Sequence, residues 1–306
     1  MEKIIKTLNM PDYTRGGEAE KAAFVAELKE ALETTGFFFL RNHGIAQQTV
    51  GNARRVFDAF FQQLPEELRL KYEFAEEQHQ RGYTPMRIEK GEFAKIADEK
   101  HFFQVGDDRA VNVTEIPGFK EAADTLFAEF REQSLVLLRA IAVSLGLDEA
   151  YFDGKEGNSI MRAIDYPPTE NPLVDDGIAS EGGNITGMCA TKHTDINMIT
   201  LLLAQEEGLQ LWHKDEWLPI TIEDPELIII NAGDMLQHLT GGRYRSGLHR
   251  VVCQRNVRRF SIPYFCHVKL EESLVPLEHL GASDLERFHF KTAGEYLNYR
   301  LQQIGL

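Results

Sequence analysis

In the segment KHTDIN, His193 and Asp195 stand two residues apart. On an extended strand this spacing turns both side chains to one face. An imidazole nitrogen beside a carboxylate oxygen suits a divalent metal ion, and a third ligand can come from far along the chain. His249, in RSGLHRVV, stands beside the next strand signal after a turn-rich stretch. Two histidines and one carboxylate leave the opposite positions open, as non-haem Fe(II) centres that activate dioxygen require. The chain has 10 histidines. His238 and His213 also fall near the strand-rich region, so residue type alone leaves the third position open.

Arg259 and Ser261, in RRFSIPYF, repeat the two-residue spacing. A guanidinium grips a carboxylate through two parallel hydrogen bonds, and a neighbouring hydroxyl adds a third. Such a clamp fits the distal carboxylate of 2-oxoglutarate (2OG), whose 2-oxo acid end can chelate iron. The Tyr166 hydroxyl offers a further hydrogen bond to the same carboxylate.

These residues need strands to align them. In the first half, Phe24, Val25, Leu28, Ala31 and Leu32 recur at helical spacing, with Gly36 as terminator. Phe37 to Leu40 reads as a strand. Further helices are expected across Val50 to Leu64, from Pro65, and from about Glu121 to Leu145. The second half alternates short apolar runs with Gly, Pro, Asn and Asp. Strands are expected over Ser159–Asp165, Met198–Leu203, Leu209–His213, Trp217–Ile220, Leu227–Ile230, His249–Cys253 and Arg259–Val268. This pattern indicates a sandwich or barrel. Helix returns over Asp284–Leu301. Pro167–Ala190 and Gly106–Gly118 read as loops, and Asn171–Asn184 as a surface loop or a lid. No linker or repeat divides residues 1–306. They read as one domain, helix-rich over about 1–155, with a β core over about 156–270 and a C-terminal helix.

Taken in order, these segments resemble the isopenicillin N synthase-like group of Fe(II)/2OG-dependent oxygenases. The resemblance spans almost the whole chain: GFFFLRNHGI, RGYTP, DEKHFFQVG, MRAIDYPP, HTDINMITLLLAQEEGLQL, NAGDMLQHLTGGRYRSGLHRVV and RRFSIPYF. It implies a mainly β fold with supporting α-helices, the distorted jelly roll or double-stranded β-helix. His193, Asp195 and His249 match the iron ligands, Arg259 and Ser261 the cosubstrate clamp, and Tyr166 an additional cosubstrate contact. Many relatives carry Asn two positions before this tyrosine, where Ile164 stands here. The implied activity is oxidation, chiefly hydroxylation, of a small organic substrate. Fe(II), 2OG and O2 are consumed or required, and succinate and CO2 are released. Two other readings are an iron oxidase that works without 2OG, as in isopenicillin N synthase or aminocyclopropanecarboxylate oxidase, and a non-catalytic small-molecule sensor on the same fold.

Phe102, Phe103, Met188, Leu203 and Phe265 are candidate pocket residues. Arg81, Arg87 and Lys192 are candidates to bind a carboxylate or phosphate. Arg162 is a candidate to orient Asp195 or another acid, and Asp165 reads as a substrate-facing or solvent-facing carboxylate. The expected substrate is a small molecule, an amino-acid derivative or specialised metabolite. Thirty-three Lys+Arg against 48 Asp+Glu give a net charge of -15, which argues against a nucleic-acid or anionic-membrane surface. The arginines of RYRSGLHRVVCQRNVRR would be split between strand faces. No apolar run reaches the roughly 20 residues of a membrane span. Three scattered cysteines suggest neither disulfides nor a thiolate metal site, and the expectation is a cytoplasmic protein.

Overall fold

The computed structural model describes residues 4–74, 81–89, 97–107, 111–170, 186–204, 206–222, 224, 226–254, 256–281 and 286–304. The first part of the chain runs β1 (Lys6–Asn9), α1 (Met10–Thr14), α2 (Glu18–Thr34), β2 (Phe37–Arg41), α3 (Gln47–Gln63), α4 (Glu66–Arg69), β3 (Gly82–Thr84), β4 (His101–Gly106) and α5 (Phe119–Ser144). The second runs β5 (Ile160–Tyr166), β6 (Thr186–His193), β7 (Ile199–Ala204), β8 (Leu209–His213), β9 (Glu216–Pro219), β10 (Ile228–Ala232), α6 (Asp234–Leu239), β11 (His249–Gln254), β12 (Arg259–Cys266) and α7 (Ala293–Ile304). Gly36 closes α2 as expected: its φ is 74°, and its N–H reaches back to the Ala31 carbonyl at 2.9 Å.

An eight-stranded sheet has the order β1-β2-β10-β7-β12-β5-β4-β3, and a four-stranded sheet the order β6-β11-β8-β9. This is the expected double-stranded β-helix. Strand alternation divides the large sheet's side chains between two apolar clusters. Phe38, Leu40, Phe103, Ile228 and Ile230 join Phe57, Phe60, Phe130 and Leu137 of the helices. Their neighbours Phe37, Phe39, Phe102, Ile164, Tyr166 and Ile229 join Ala190, Leu209, Leu211 and Val251 of the small sheet. Burying a large apolar side chain contributes about 1.5–3 kcal/mol. The helix-side cluster is the larger one, and it holds the sheet whose other face carries the site.

Several elements differ from the sequence reading. Residues 186–190 are strand rather than loop, because β6 pairs along β11 from Gln254↔Thr186 to His249↔His193. The last helix starts at Ala293, not residue 284. Leu274 N–H bonds to the Lys291 carbonyl, and Ser273 bridges Thr292, which keeps the approach extended. Helix α6, short and buried, was not expected. The stretch Asn171–Asn184 lies outside the described residues. No described helix is long and apolar enough to cross a membrane.

Candidate active site

His193 ends β6 and His249 begins β11, and the ladder sets these residues opposite each other. Their rings lie 4.3 Å apart between centroids. Asp195, two residues past His193, brings Oδ1 within 3.7 Å of His249 Nε2. One ligand atom from each of the three lies within 4.8 Å of the others, the only such His/Cys/Asp/Glu cluster among the described residues.

The surroundings fix which atoms face the centre. His193 Nδ1–H donates to the Thr191 carbonyl at 2.6 Å, and His249 Nδ1–H to the Gly247 carbonyl at 2.9 Å. Each imidazole therefore presents Nε2 as its lone-pair atom. Asp195 Oδ2 accepts hydrogen bonds from Thr200 Oγ1 at 2.6 Å and Asn231 Nδ2 at 2.8 Å, leaving Oδ1 for a metal. Burial alone would raise the Asp195 pKa, but His249, His193 and these hydrogen bonds outweigh it and hold the carboxyl below its ordinary value. Burial and the neighbouring His249 push His193 down to about 4, so it is neutral and ready to ligate at neutral pH. The Asp195 backbone is pinned as well, since its carbonyl accepts the Asp234 N–H at 2.7 Å. Gly233 permits this approach: a Cβ there would fall 2.1 Å from the Asn197 carbonyl oxygen. Two imidazoles and one carboxylate with open space opposite fit Fe(II).

The other histidines are accounted for differently. His238 uses Nδ1 on the Leu274 carbonyl and Nε2 on the Phe290 N–H, so both ring nitrogens are occupied. His213 ends β8, outside the cluster.

The triad opens into a cavity of about 160 Å³. Two antiparallel strands form one wall, and only alternate residues reach it: Ile160, Arg162, Ile164 and Tyr166 from β5, and Arg259, Ser261, Pro263 and Phe265 from β12. The register pairs Arg259↔Tyr166, Ser261↔Ile164 and Phe265↔Ile160. Arg259 Nη1 donates to Ser261 Oγ at 3.1 Å, and the guanidinium lies 5.1 Å from the Tyr166 ring centre. Arg259 is 3% exposed, yet it forms no ion pair among the described residues. A buried cation without a counter-ion is costly, and an incoming carboxylate would relieve it. Arginine, serine and tyrosine thus fit one end of 2OG. Burial raises the Tyr166 pKa, keeping its hydroxyl protonated as a donor. Ile164 supplies an apolar contact where a polar one stood as the alternative.

Residues not singled out in the sequence also line this space. Lys100 Nζ lies 2.8 Å from Asp98 Oδ2 and 3.6 Å from Glu89 Oε2, and Arg162 Nη1 donates to Glu89 Oε2 at 2.8 Å. Burial would raise Glu89, but Arg162 and Lys100 hold it down at about 2. Burial would lower Lys100, but Asp98 and Glu89 keep it above its ordinary value. Arg162 is therefore tied to Glu89, not to Asp195. His267, Leu297, Arg300 and Leu301 complete the lining, with Arg300 paired to Asp234.

The remaining sequence candidates scatter. Phe265 reaches the cavity. Phe102 lies behind it in the inter-sheet cluster, with the Arg162 guanidinium 4.0 Å from its ring centre. Phe103 faces the helices, stacked edge-on with Phe60 and Phe119. Leu202, not Leu203, lines the cavity. Lys192 is exposed, alternating away from His193, and Arg87 is exposed and paired with Glu99. Arg81 lies with its guanidinium against Gly106. The Met188 side chain lies outside the described residues. Asp165 is neither substrate-facing nor solvent-facing: it is fully buried, accepting hydrogen bonds from His101 Nε2 at 2.9 Å and Arg258 Nε at 2.5 Å.

Comparison with known proteins agrees with this geometry. Residues 157–268 match the 2OG-Fe(II) oxygenase superfamily, and residues 7–122 match the non-haem dioxygenase in morphine synthesis N-terminal family. The 2-oxoglutarate-dependent dioxygenase ecdK of Aspergillus rugulosus is 27% identical over 335 residues, covering 97% of this chain and 98% of that one. A Caulobacter crescentus protein assigned to the 2OG-Fe(II) oxygenase family has a TM-score of 0.83 at 30% identity, over 98% of this chain and 99% of that one. Full-length Neurospora crassa T7H in complex with alpha-KG has a TM-score of 0.81 at 26% identity, over 97% and 96% of the two chains.

Proposed function

This chain belongs to the 2OG-Fe(II) oxygenase superfamily, and from that premise we propose that it hydroxylates a small specialised metabolite. It is an Fe(II)/2OG-dependent oxygenase acting on a small organic substrate. The observation that carries this is one cavity holding both the His193–Asp195–His249 centre and the Arg259–Ser261 clamp. Bound iron supplies the redox chemistry by which O2 is consumed and 2OG is oxidised to succinate and CO2.

The chain's own residues supply placement. Arg259, Ser261 and Tyr166 bind the distal carboxylate of 2OG and direct its 2-oxo acid end toward the triad. Thr191 and Gly247 hold the two imidazoles, and Thr200 and Asn231 hold the carboxylate. The apolar Ile164 and Phe265 keep water from the space between clamp and substrate. Of the two substrate kinds expected from sequence, the specialised metabolite is favoured over an amino-acid derivative. The charges of Glu89, Asp98, Lys100 and Arg162 already neutralise one another, leaving little for a zwitterion to bind. The whole chain acts as a single oxygenase domain, and its setting is the cytoplasm.

An aerobic metabolite screen with Fe(II), 2OG and a reductant tests this reading. Product mass and succinate yield are read together. A product heavier by one oxygen, formed with one succinate, supports hydroxylation. Product formation without succinate contradicts it.

A further inference from the structure

Along β12 the inward residues alternate from the clamp: Arg259, Ser261, Pro263, Phe265 and then His267, just past the strand end. His267 stands six positions beyond Ser261, about 20 Å of extended chain. Within that span, Phe265 pairs with Thr200, the residue that hydrogen-bonds Asp195. His267 therefore stands at the end of the cavity remote from the cosubstrate clamp, past the level of the metal ligands. Its backbone is fixed there. Its N–H donates to Ser159 Oγ at 3.2 Å, and its carbonyl accepts the Gly157 N–H at 3.1 Å.

The ring is less well served. His267 lines the cavity at 7% exposure, and its imidazole makes no hydrogen bond among the described residues; Nδ1 is sealed off without a partner, which leaves Nε2 as the nitrogen a bound molecule could reach. A buried polar group left unpaired is destabilising, and native structures rarely keep one without a reason. Burial also pushes the imidazole down to about 4, so the ring is neutral at physiological pH, with one nitrogen donating and the other accepting. The same cavity is lined by the apolar Ile160, Phe265, Leu297 and Leu301. The charge that acts on the ring is the Asp195 carboxylate, already held by Thr200 and Asn231, and the cavity's other charges are paired: Arg162 with Glu89, Lys100 with Asp98, and Arg300 with Asp234.

We propose that His267 is the specificity-determining residue for the substrate, taking a neutral hydrogen-bonding group such as an amide, carbonyl or hydroxyl carried on an apolar frame. The proposal rests on the oxygenase reading and deepens it. Buried polar sites discriminate in this way: a ligand lacking the hydrogen-bonding group leaves the imidazole unpaired, and a charged one must lose its hydration without gaining a counter-ion.

Calorimetric titration of the Fe(II)- and 2OG-loaded protein under argon tests this with three probes of similar shape: benzamide, benzoate and toluene. Benzamide is expected to bind at least tenfold more tightly than either of the others. His267→Phe fills the same space without a hydrogen bond and should remove that preference. His267→Asn should restore it to within about threefold, with 2OG affinity unchanged and Tm at neutral pH not lowered in either variant. Equal binding of the three probes by the wild type would overturn the proposal. So would survival of the preference in His267→Phe, or a parallel loss of 2OG affinity, which would make the residue structural. Failure of the oxygenase reading would show separately, as absence of succinate formation by the wild type.

Discussion

At one end of the cavity, Arg259 is a buried cation with no ion pair among the described residues, and Ser261 and Tyr166 set hydroxyls beside it. Glu89, Asp98, Lys100 and Arg162 are paired among themselves, with Lys100 close to Tyr166 and His193, and at the other end the residue whose ring lacks a hydrogen bond is the uncharged His267. The same strand pair serves both ends, so the contrast comes from side chains and not from backbone. An anion gains a counter-ion only at the clamp. A neutral polar molecule meets an unpaired imidazole without a free cation beside it at the far end. On the proposed reading, this contrast would keep cosubstrate and substrate from exchanging places beside one metal.

The strongest way to break this contrast is to remove the centre that both ends share. His193→Ala, Asp195→Ala and His249→Ala are each expected to reduce Fe(II)-dependent succinate formation to background. Iron content by elemental analysis and folding by circular dichroism would be measured alongside, and activity surviving in a folded, iron-free variant would contradict the assignment. Arg259→Ala should next weaken 2OG binding by about 2–5 kcal/mol, tens- to thousands-fold in Kd. Iron content should stay at the wild-type level. Unchanged 2OG affinity would remove charge as the basis of selection at the clamp.

Asn231→Ala and Thr200→Val leave all three ligands in place but free the Asp195 carboxylate to rotate. Iron affinity should fall by about 10–100-fold, measured by competition with a chelator. Glu89→Gln sharpens the comparison from the opposite side, since it deprives Arg162 and Lys100 of a shared counter-ion. Benzoate binding should then improve by roughly fivefold, about 1 kcal/mol, and no change would show that the network is not what turns anions away.

The smallest expected effect is in pH dependence. His193 and His267 are both depressed to about 4 in the folded chain. Between that value and the ordinary 6.5, the unfolded state binds more protons. Metal-free stability is therefore complete above about pH 6.5 and is lost as pH falls toward 4. His267→Phe should flatten the fall in Tm over that window by a contribution on the order of 1–3 kcal/mol. An unaltered slope would mean that the His267 environment does not disfavour its charge.

The sequence displayed the ligands more clearly than their supports. His193 and Asp195 are legible because a two-residue step on a strand has a single geometric meaning. Arg259 and Ser261 are legible for the same reason. Asn231 and Thr200 carry no such mark: both are ordinary polar residues, and only the stacking of β7 and β10 beside Asp195 gives them a role. Phe102 and Phe103 are equally apolar, so composition cannot tell which faces the small sheet and which the helices. The Leu202–Leu203 ambiguity has the same origin. Asp165 was misread because its partners, His101 and Arg258, lie 64 and 93 residues away. β6 was hidden in a stretch rich in Thr and Gly, where pairing with β11 outweighs weak local preference. His267 lacked any local pattern, and its significance comes from a missing contact, which a sequence does not record.

The shared centre is tested most directly by anaerobic equilibrium dialysis of Fe(II) in the presence of 2OG, with both bound species counted per chain. The expected result is one iron and one 2OG bound together, with iron lost in Asp195→Ala and 2OG lost selectively in Arg259→Ala. Stoichiometric iron binding that persists when His193, Asp195 and His249 are all replaced by alanine would contradict it.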